Sequence, residues 1–227
     1  MNDNATQLTF LFDVDNTLLD NDGIIADLRA FLSREIGDKS QARYWEIFEE
    51  LRRELGYADY LGAIQRYRAE NPRDPHILRA SLFLIDYAFP QKLFPRALDV
   101  VRHVKQWGRA AILSDGDAVF QPRKVERSGI GAAVDTVLIY IHKEEQLADV
   151  SARLPCTHYV FVDDKIRLLT AVKKIWGERV TTVWPRQGHY ALDAAEVAKY
   201  PPADIAIDRI ADLLQFSRER FVTKAGH

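Results

Sequence analysis

Apolar residues follow two rhythms along this chain. Leu8-Thr9-Phe10-Leu11-Phe12 carries four apolar side chains in five positions, which reads as a short strand buried on both faces. It stops at Asp13-Val14-Asp15-Asn16-Thr17. Beyond Thr17 the spacing changes to three and four. Asp22 reads as an N-cap ahead of Ile24, Ile25, Leu28, Phe31 and Leu32, with Gly37 as the stop. Ser40 opens a second helix with the stripe Tyr44, Phe48, Leu51 and Leu55, closed by Gly56. Helices over 59–70 and 76–87 follow, separated by Asn71-Pro72-Arg73-Asp74-Pro75, whose two prolines cannot continue a helix.

From Pro95 helix and strand alternate. Pro95 opens a helix that Gly108 ends, and a buried strand over 110–113 runs into Ser114-Asp115-Gly116-Asp117. Next come a helix over 118–128, a strand over 136–141 leading into His142-Lys143, and a helix over 144–154. A strand over 159–162 ends in Asp163-Asp164-Lys165, a helix spans 166–176, and strands cover 180–184 and 203–207. This alternation predicts an α/β fold with a Rossmann-like parallel sheet between two helical layers. The helical block is then an inserted α-helical domain over 19–91, and the core is 1–18 with 92–227. There is no internal repeat and no low-complexity segment.

A length of 227 residues, 47% of them hydrophobic and 28% charged, suits one large soluble domain carrying an insertion. A formal net charge of −2 gives no reason to expect nucleic acid or anionic membrane as partner. The single cysteine, Cys156, excludes an intrachain disulfide and a multi-cysteine metal site, and suits a reducing compartment. Met1-Asn2-Asp3-Asn4 lacks the basic start of a secretory leader, and no apolar run approaches the ~18 residues of a membrane span. The expectation is a cytoplasmic protein.

Four strands finish in residues with chemical use: Asp13 and Asp15, then Ser114, then Lys143, then Asp163 and Asp164. Right-handed crossovers bring the carboxyl ends of parallel strands to one edge, so these residues should converge. Carboxylates with one lysine, one hydroxyl and no Cys/His set suit a hard cation such as Mg²⁺. Cation and lysine together would offset the charge of a phosphate, which makes phosphoryl transfer through an aspartate nucleophile the natural hypothesis. The plainer alternative is that Asp13, Asp15 and Asn16 only end a strand in a turn, Asp163 caps a helix and Lys143 is a surface residue.

The chain resembles the haloacid dehalogenase superfamily through four short motifs in order: Asp13-Val14-Asp15-Asn16-Thr17, Ser114, Lys143 and Asp163-Asp164. The insertion falls where that family's helical C1 cap belongs. The resemblance implies Asp13 as nucleophile and Asp15 as the acid that protonates the leaving oxygen and then activates water. It implies that Thr17 holds the loop. Ser114, with backbone N–H groups of Asp115 and Gly116, would bind phosphoryl oxygens, and Lys143 would neutralise them. The metal, Mg²⁺, would be held by the Asp13 carboxylate, the Asp15 carbonyl and the fourth-motif acid, with Asp164 favoured over Asp163. Dehalogenating members lack the second aspartate, so Asp15 implies a phosphatase acting on a small soluble phosphomonoester. A phosphomutase and a non-enzymatic phospho-accepting or binding module are the alternatives. Glu144 replaces a proline common after the lysine, and Asp163 stands where many members have glycine.

The insertion holds Arg43, Tyr44, Trp45, Arg52, Arg53, Tyr57, Tyr60, Arg66, Tyr67 and Arg68. Such a set recognises a second acidic group or a ring on a substrate, or simply builds amphipathic helices. His76, His103, His142, His158 and His189 show no metal-ligand spacing and read as structural or surface residues.

Overall fold

The computed structural model describes residues 7–222; Met1-Asn2-Asp3-Asn4, on which the leader expectation rests, lies outside them. Six strands pair in parallel: β1 (Leu8–Phe12), β2 (Gly108–Asp115), β3 (Thr136–Tyr140), β4 (His158–Val162), β5 (Val180–Pro185) and β6 (Ile205–Ile207). Their order is β3-β2-β1-β4-β5-β6, which puts β1 in the interior of the sheet with β2 and β4 beside it. All five β1 residues are buried. Leu8, Phe10 and Phe12 enter one face's core, while Leu11 joins Ala111, Leu113, Tyr159 and Phe161 on the other. Alternate positions thus serve opposite faces, which is why this strand contains almost nothing polar.

The β1–β2 crossover contains α1 (Asn21–Ile36), α2 (Asp38–Leu55), α3 (Tyr60–Glu70) and α4 (Ile77–Ile85). The remaining helices are α5 (Ala97–Val104), α6 (Phe120–Arg127), α7 (Ile130–Ala133), α8 (Leu147–Arg153), α9 (Ile166–Trp176), α10 (Gly188–Leu192), α11 (Ala194–Val197) and α12 (Glu219–Val222). Several ends differ from expectation. Asp20, not Asp22, caps α1, accepting from Gly23 N at 2.8 Å. Gly37, at φ 79°, lets α2 start at Asp38 with no loop, ahead of Ser40. Arg96, at φ 64°, sits between Pro95 and the first turn of α5, so Pro95 is not that helix's opening residue. The short helices α10 and α11 lack the periodic stripe that would announce them.

Where the chain leaves and rejoins the sheet, its two passages lie side by side. Asp20 N donates to Lys92 O at 2.7 Å, Phe94 N donates to Leu18 O at 3.0 Å, and Leu19 bridges Leu93 in antiparallel fashion. The helical block has no separate core. Phe48 stacks on Tyr60 at 4.6 Å, Tyr60 meets Phe120 at 5.7 Å and Phe120 meets Phe89 at 5.9 Å, so one apolar cluster runs from the insertion to the sheet. Among the described residues no helix is long and apolar enough to cross a membrane.

Phe10 is fully buried and packs edge-on against Phe221 at 5.2 Å. Phe10→Ala should cost about 3–5 kcal/mol in chemical denaturation, because the strand between two others cannot collapse around the void.

Candidate active site

The loop after β1 folds around a single carbonyl. Val14 O accepts from Thr17, Leu18 and Leu19 N at 3.3, 3.0 and 2.9 Å, and Asn16 takes φ 57° to close the turn. Asp13 N still donates to Val162 O at 2.9 Å, so the Asp13 side chain leaves the sheet at its carboxyl edge. The segment before α10 holds the loop from outside. Gln187 Nε2 donates to Asn16 O and Thr17 O at 3.2 and 3.1 Å. Gly188 comes so close that an added Cβ would lie 2.4 Å from Asn16 Cβ, so only glycine fits. Thr17 Oγ1 accepts from Asp164 N at 3.2 Å, tying the first strand end to the fourth.

Three strand ends meet at the Lys143 ammonium. It lies 2.5 Å from Asp13 Oδ1 and 2.7 Å from Asp163 Oδ2, with all three side chains buried. Burial alone would favour loss of its proton, but Asp13, Asp163 and Asp115 outweigh that and hold its pKa well above the ordinary lysine value. The Ser114 hydroxyl donates to Asp13 Oδ1 at 3.3 Å and accepts from Gln121 Nε2 at 3.0 Å. Asp13 therefore divides its oxygens: Oδ1 faces lysine and serine, while Oδ2 is buried without a partner.

Both Asp164 carboxylate oxygens are likewise buried and unpartnered among the described residues. Asp13, Asp163 and Asp164 offer oxygens that all lie within 4.8 Å of one another. Unsatisfied anionic oxygens at that density fit a hard divalent cation. Asp163 is already engaged, accepting from Lys165 N at 2.8 Å on one oxygen and meeting Lys143 with the other. The backbone expectation is altered: Gly116 N donates to Tyr140 O at 2.9 Å, because the strand pairing continues one residue past Asp115.

Asp15 stands apart from this cluster. Its Oδ1 lies 2.7 Å from Lys124 Nζ, which also donates to Asn21 Oδ1 at 3.0 Å. The Lys124 side chain is 1% exposed and that of Asp15 27%, so the acid reaches a cavity while its anchor does not. That cavity, of about 730 Å³, lies between the sheet edge and the helical block. Of the insertion's candidates, Trp45, Arg52, Tyr57 and Tyr60 line it. Tyr44 and Tyr67 are buried in the block, and Arg43 and Arg66 pair with Glu70 and Glu54.

Residues 8–175 match the haloacid dehalogenase-like hydrolase family. The chain belongs to the haloacid dehalogenase-like hydrolases. A member of that description from Burkholderia xenovorans is similar at 58% identity over 93% of this chain and 99% of its own, with a TM-score of 0.89. The hydrolase YfnB of Bacillus subtilis, bound to magnesium, is 16% identical over 92% of this chain and 98% of its own, with a TM-score of 0.61. An L-2-haloacid dehalogenase of Xanthobacter autotrophicus, with chloropropionic acid covalently bound, is 17% identical over 91% and 96%, at 0.60. The last two likenesses concern the fold alone. No curated protein matches the chain.

In this haloacid dehalogenase-like hydrolase the four motif groups gather as expected, and further residues join them. Lys124 had one readable signal, its position four after Phe120 on the inward stripe of α6. Lys165 directly follows the acidic pair, and its side chain lines the cavity. His142 and His189 also line the cavity, and His189 Nδ1 lies 2.7 Å from Asp22 Oδ1. Both keep a surface position, as expected, and that position is at the cavity wall. Nothing in their spacing reveals this, since the chain segments meet only through the fold.

Burial pushes the Asp163 carboxyl from 3.8 up to about 6, against the opposing pull of Lys143. Between those values the folded chain holds a proton that the unfolded chain has lost, so this group's contribution to stability declines as pH rises through that window. A divalent cation offsets the resulting negative charge. Millimolar Mg²⁺ should raise the melting temperature more at about pH 7 than at about pH 4.5, measured by scanning calorimetry after chelation. Equal shifts at both pH values would contradict this.

Proposed function

We propose that the protein is a Mg²⁺-dependent phosphatase that hydrolyses a small phosphomonoester through an aspartyl-phosphate on Asp13. The observation that carries this reading is Asp15, an acid at the cavity wall held by Lys124, which Asn21 in turn anchors. A halide leaves without a proton, whereas an alkoxide leaving group needs one. Asp13 Oδ1 is the nucleophilic oxygen, since it faces Ser114 and Lys143, the two groups suited to hold phosphoryl oxygens. Asp15 then protonates the departing oxygen and later takes a proton from the water that attacks the acyl phosphate. Mg²⁺, held by Asp13 and Asp164 with the Asp15 carbonyl, supplies charge that offsets repulsion between phosphate and carboxylates.

The helical block acts as a cap over residues 19–91 in this reading. Support comes from the cavity lying beneath it and from the paired passages at Leu19 and Leu93. Closure on those passages would exclude water from the reacting groups. The substrate is a small molecule, with neither nucleic acid nor membrane as partner, and a reducing cytoplasmic setting suits the single cysteine.

Purified protein should release inorganic phosphate from an aryl phosphate with Mg²⁺, lose that activity with chelator, and lose it in Asp13→Asn. It should release no chloride from 2-chloropropionate; chloride without phosphate would overturn the reading. In single-turnover measurements of leaving-group release, Asp15→Asn should slow the alkyl phosphate by about 10²–10⁴-fold and p-nitrophenyl phosphate far less, because nitrophenolate departs without help, while steady-state turnover of both falls with the lost activation of water. Equal losses of leaving-group release on the two substrates would remove the acid role of Asp15.

A further inference from the structure

Two cations of the cavity wall, Lys165 and Arg52, have no carboxylate closer than 3.7 Å among the described residues. The carboxylates along the wall are engaged elsewhere or, for Glu49, by that long contact with Arg52. Asp15 faces Lys124, Asp22 takes the N–H and ring of His189, and Glu196 faces Lys199 at 2.5 Å. Asp117 accepts the Val119 and Phe120 N–H groups at 2.8 and 2.6 Å, and Asp115 accepts that of Lys143 at 2.8 Å. The cations do not balance in the same way. Lys165 follows Asp163 and Asp164 in the chain, yet its ammonium makes no ion pair within 4.0 Å of any carboxylate among the described residues. It lies 5.1 Å from the centre of the Tyr190 ring.

A second cation reaches the same ring from the opposite layer. Arg52, on α2, donates to the Tyr190 hydroxyl, and its nearest carboxylate, Glu49, is 3.7 Å away. Core lysine and insertion arginine thus flank one tyrosine, and all three line the cavity. Lys143 and Ser114 already serve the Asp13 side of the site, so this pair faces the part of a substrate that does not react. Arginine forks and lysine point charges recognise carboxylates and phosphates in such settings.

We propose that the substrate carries a second oxyanion, a carboxylate or another phosphate, seated between Lys165 and Arg52 against Tyr190. This names the substrate class for the phosphatase reading and rests on it for the site of the first phosphate. A neutral or cationic tail would leave Lys165 without an ion pair and Arg52 with only its 3.7 Å contact to Glu49, whereas an anionic tail pairs both closely and contacts core and insertion at once. Lys165 is then the principal specificity residue.

Binding of non-hydrolysable ligands tests this without turnover, so a failure of the phosphatase reading remains separable. Calorimetry on the full chain with Mg²⁺ would compare benzylphosphonate, para-carboxybenzylphosphonate and a benzylic bisphosphonate of equal length. At least one charged-tail ligand should bind about tenfold or more tighter than benzylphosphonate, and which one does separates carboxylate from phosphate. Lys165→Met and Arg52→Gln should collapse that ratio, and Lys165→Arg should retain it. Equal affinities in the wild type, absence of binding by all three, or a Lys165→Met variant that weakens every ligand alike would overturn the assignment. Absence of phosphate release from every substrate, with the affinity ratio intact, would instead count against the phosphatase reading alone.

Discussion

The Lys143 ammonium, buried between Asp13 and Asp163, is the constraint on which the site depends. It comes from the end of one strand and meets carboxylates from two others, so the sheet must hold those ends in fixed register. Removing the lysine would leave two buried carboxylates without their counter-charge. Stability and chemistry are therefore joined at one point. The same crowding leaves Asp13 Oδ2 and both Asp164 oxygens without partners, which prepares the site for a cation.

A second layer of contacts links this centre to the helical insertion. Lys124 holds Asp15 and reaches Asn21, the first residue of α1. Gln187 pins the Asn16 and Thr17 carbonyls, while Asp22 bonds both Asn16 and His189. The acid proposed to move protons is thus linked through Lys124 to the start of the insertion. In the proposed function, the region that would cover the substrate and the acid that would act on its leaving oxygen are connected through these anchors.

The likeness to a haloacid dehalogenase at 17% identity concerns the fold. Chemistry on a shared sheet is set by which groups stand at the strand ends, and the proposed function turns on the second aspartate, an acid that a halide leaving group would not need. The cavity adds a further feature, since Lys165 and Arg52 meet at Tyr190 on its wall.

Much of this protein is determined locally. An apolar run cut off by carboxylates, repeated with Ser114, Lys143 and Asp163-Asp164, specifies parallel strands and places their polar ends on one edge, because backbone periodicity and crossover handedness depend on near neighbours. The helical stripes of the insertion are legible for the same reason. The tertiary structure decided what sequence distance conceals. Gln187 and Gly188 lie far along the chain from the loop they brace, and Lys124 reads as an ordinary basic residue until α6 turns it toward Asp15. Lys165 stands beside two acids in sequence yet points to Tyr190 and, through that ring, toward Arg52. Charge pairing is a property of space, so which cations remain free for a ligand emerges only when the layers are packed together.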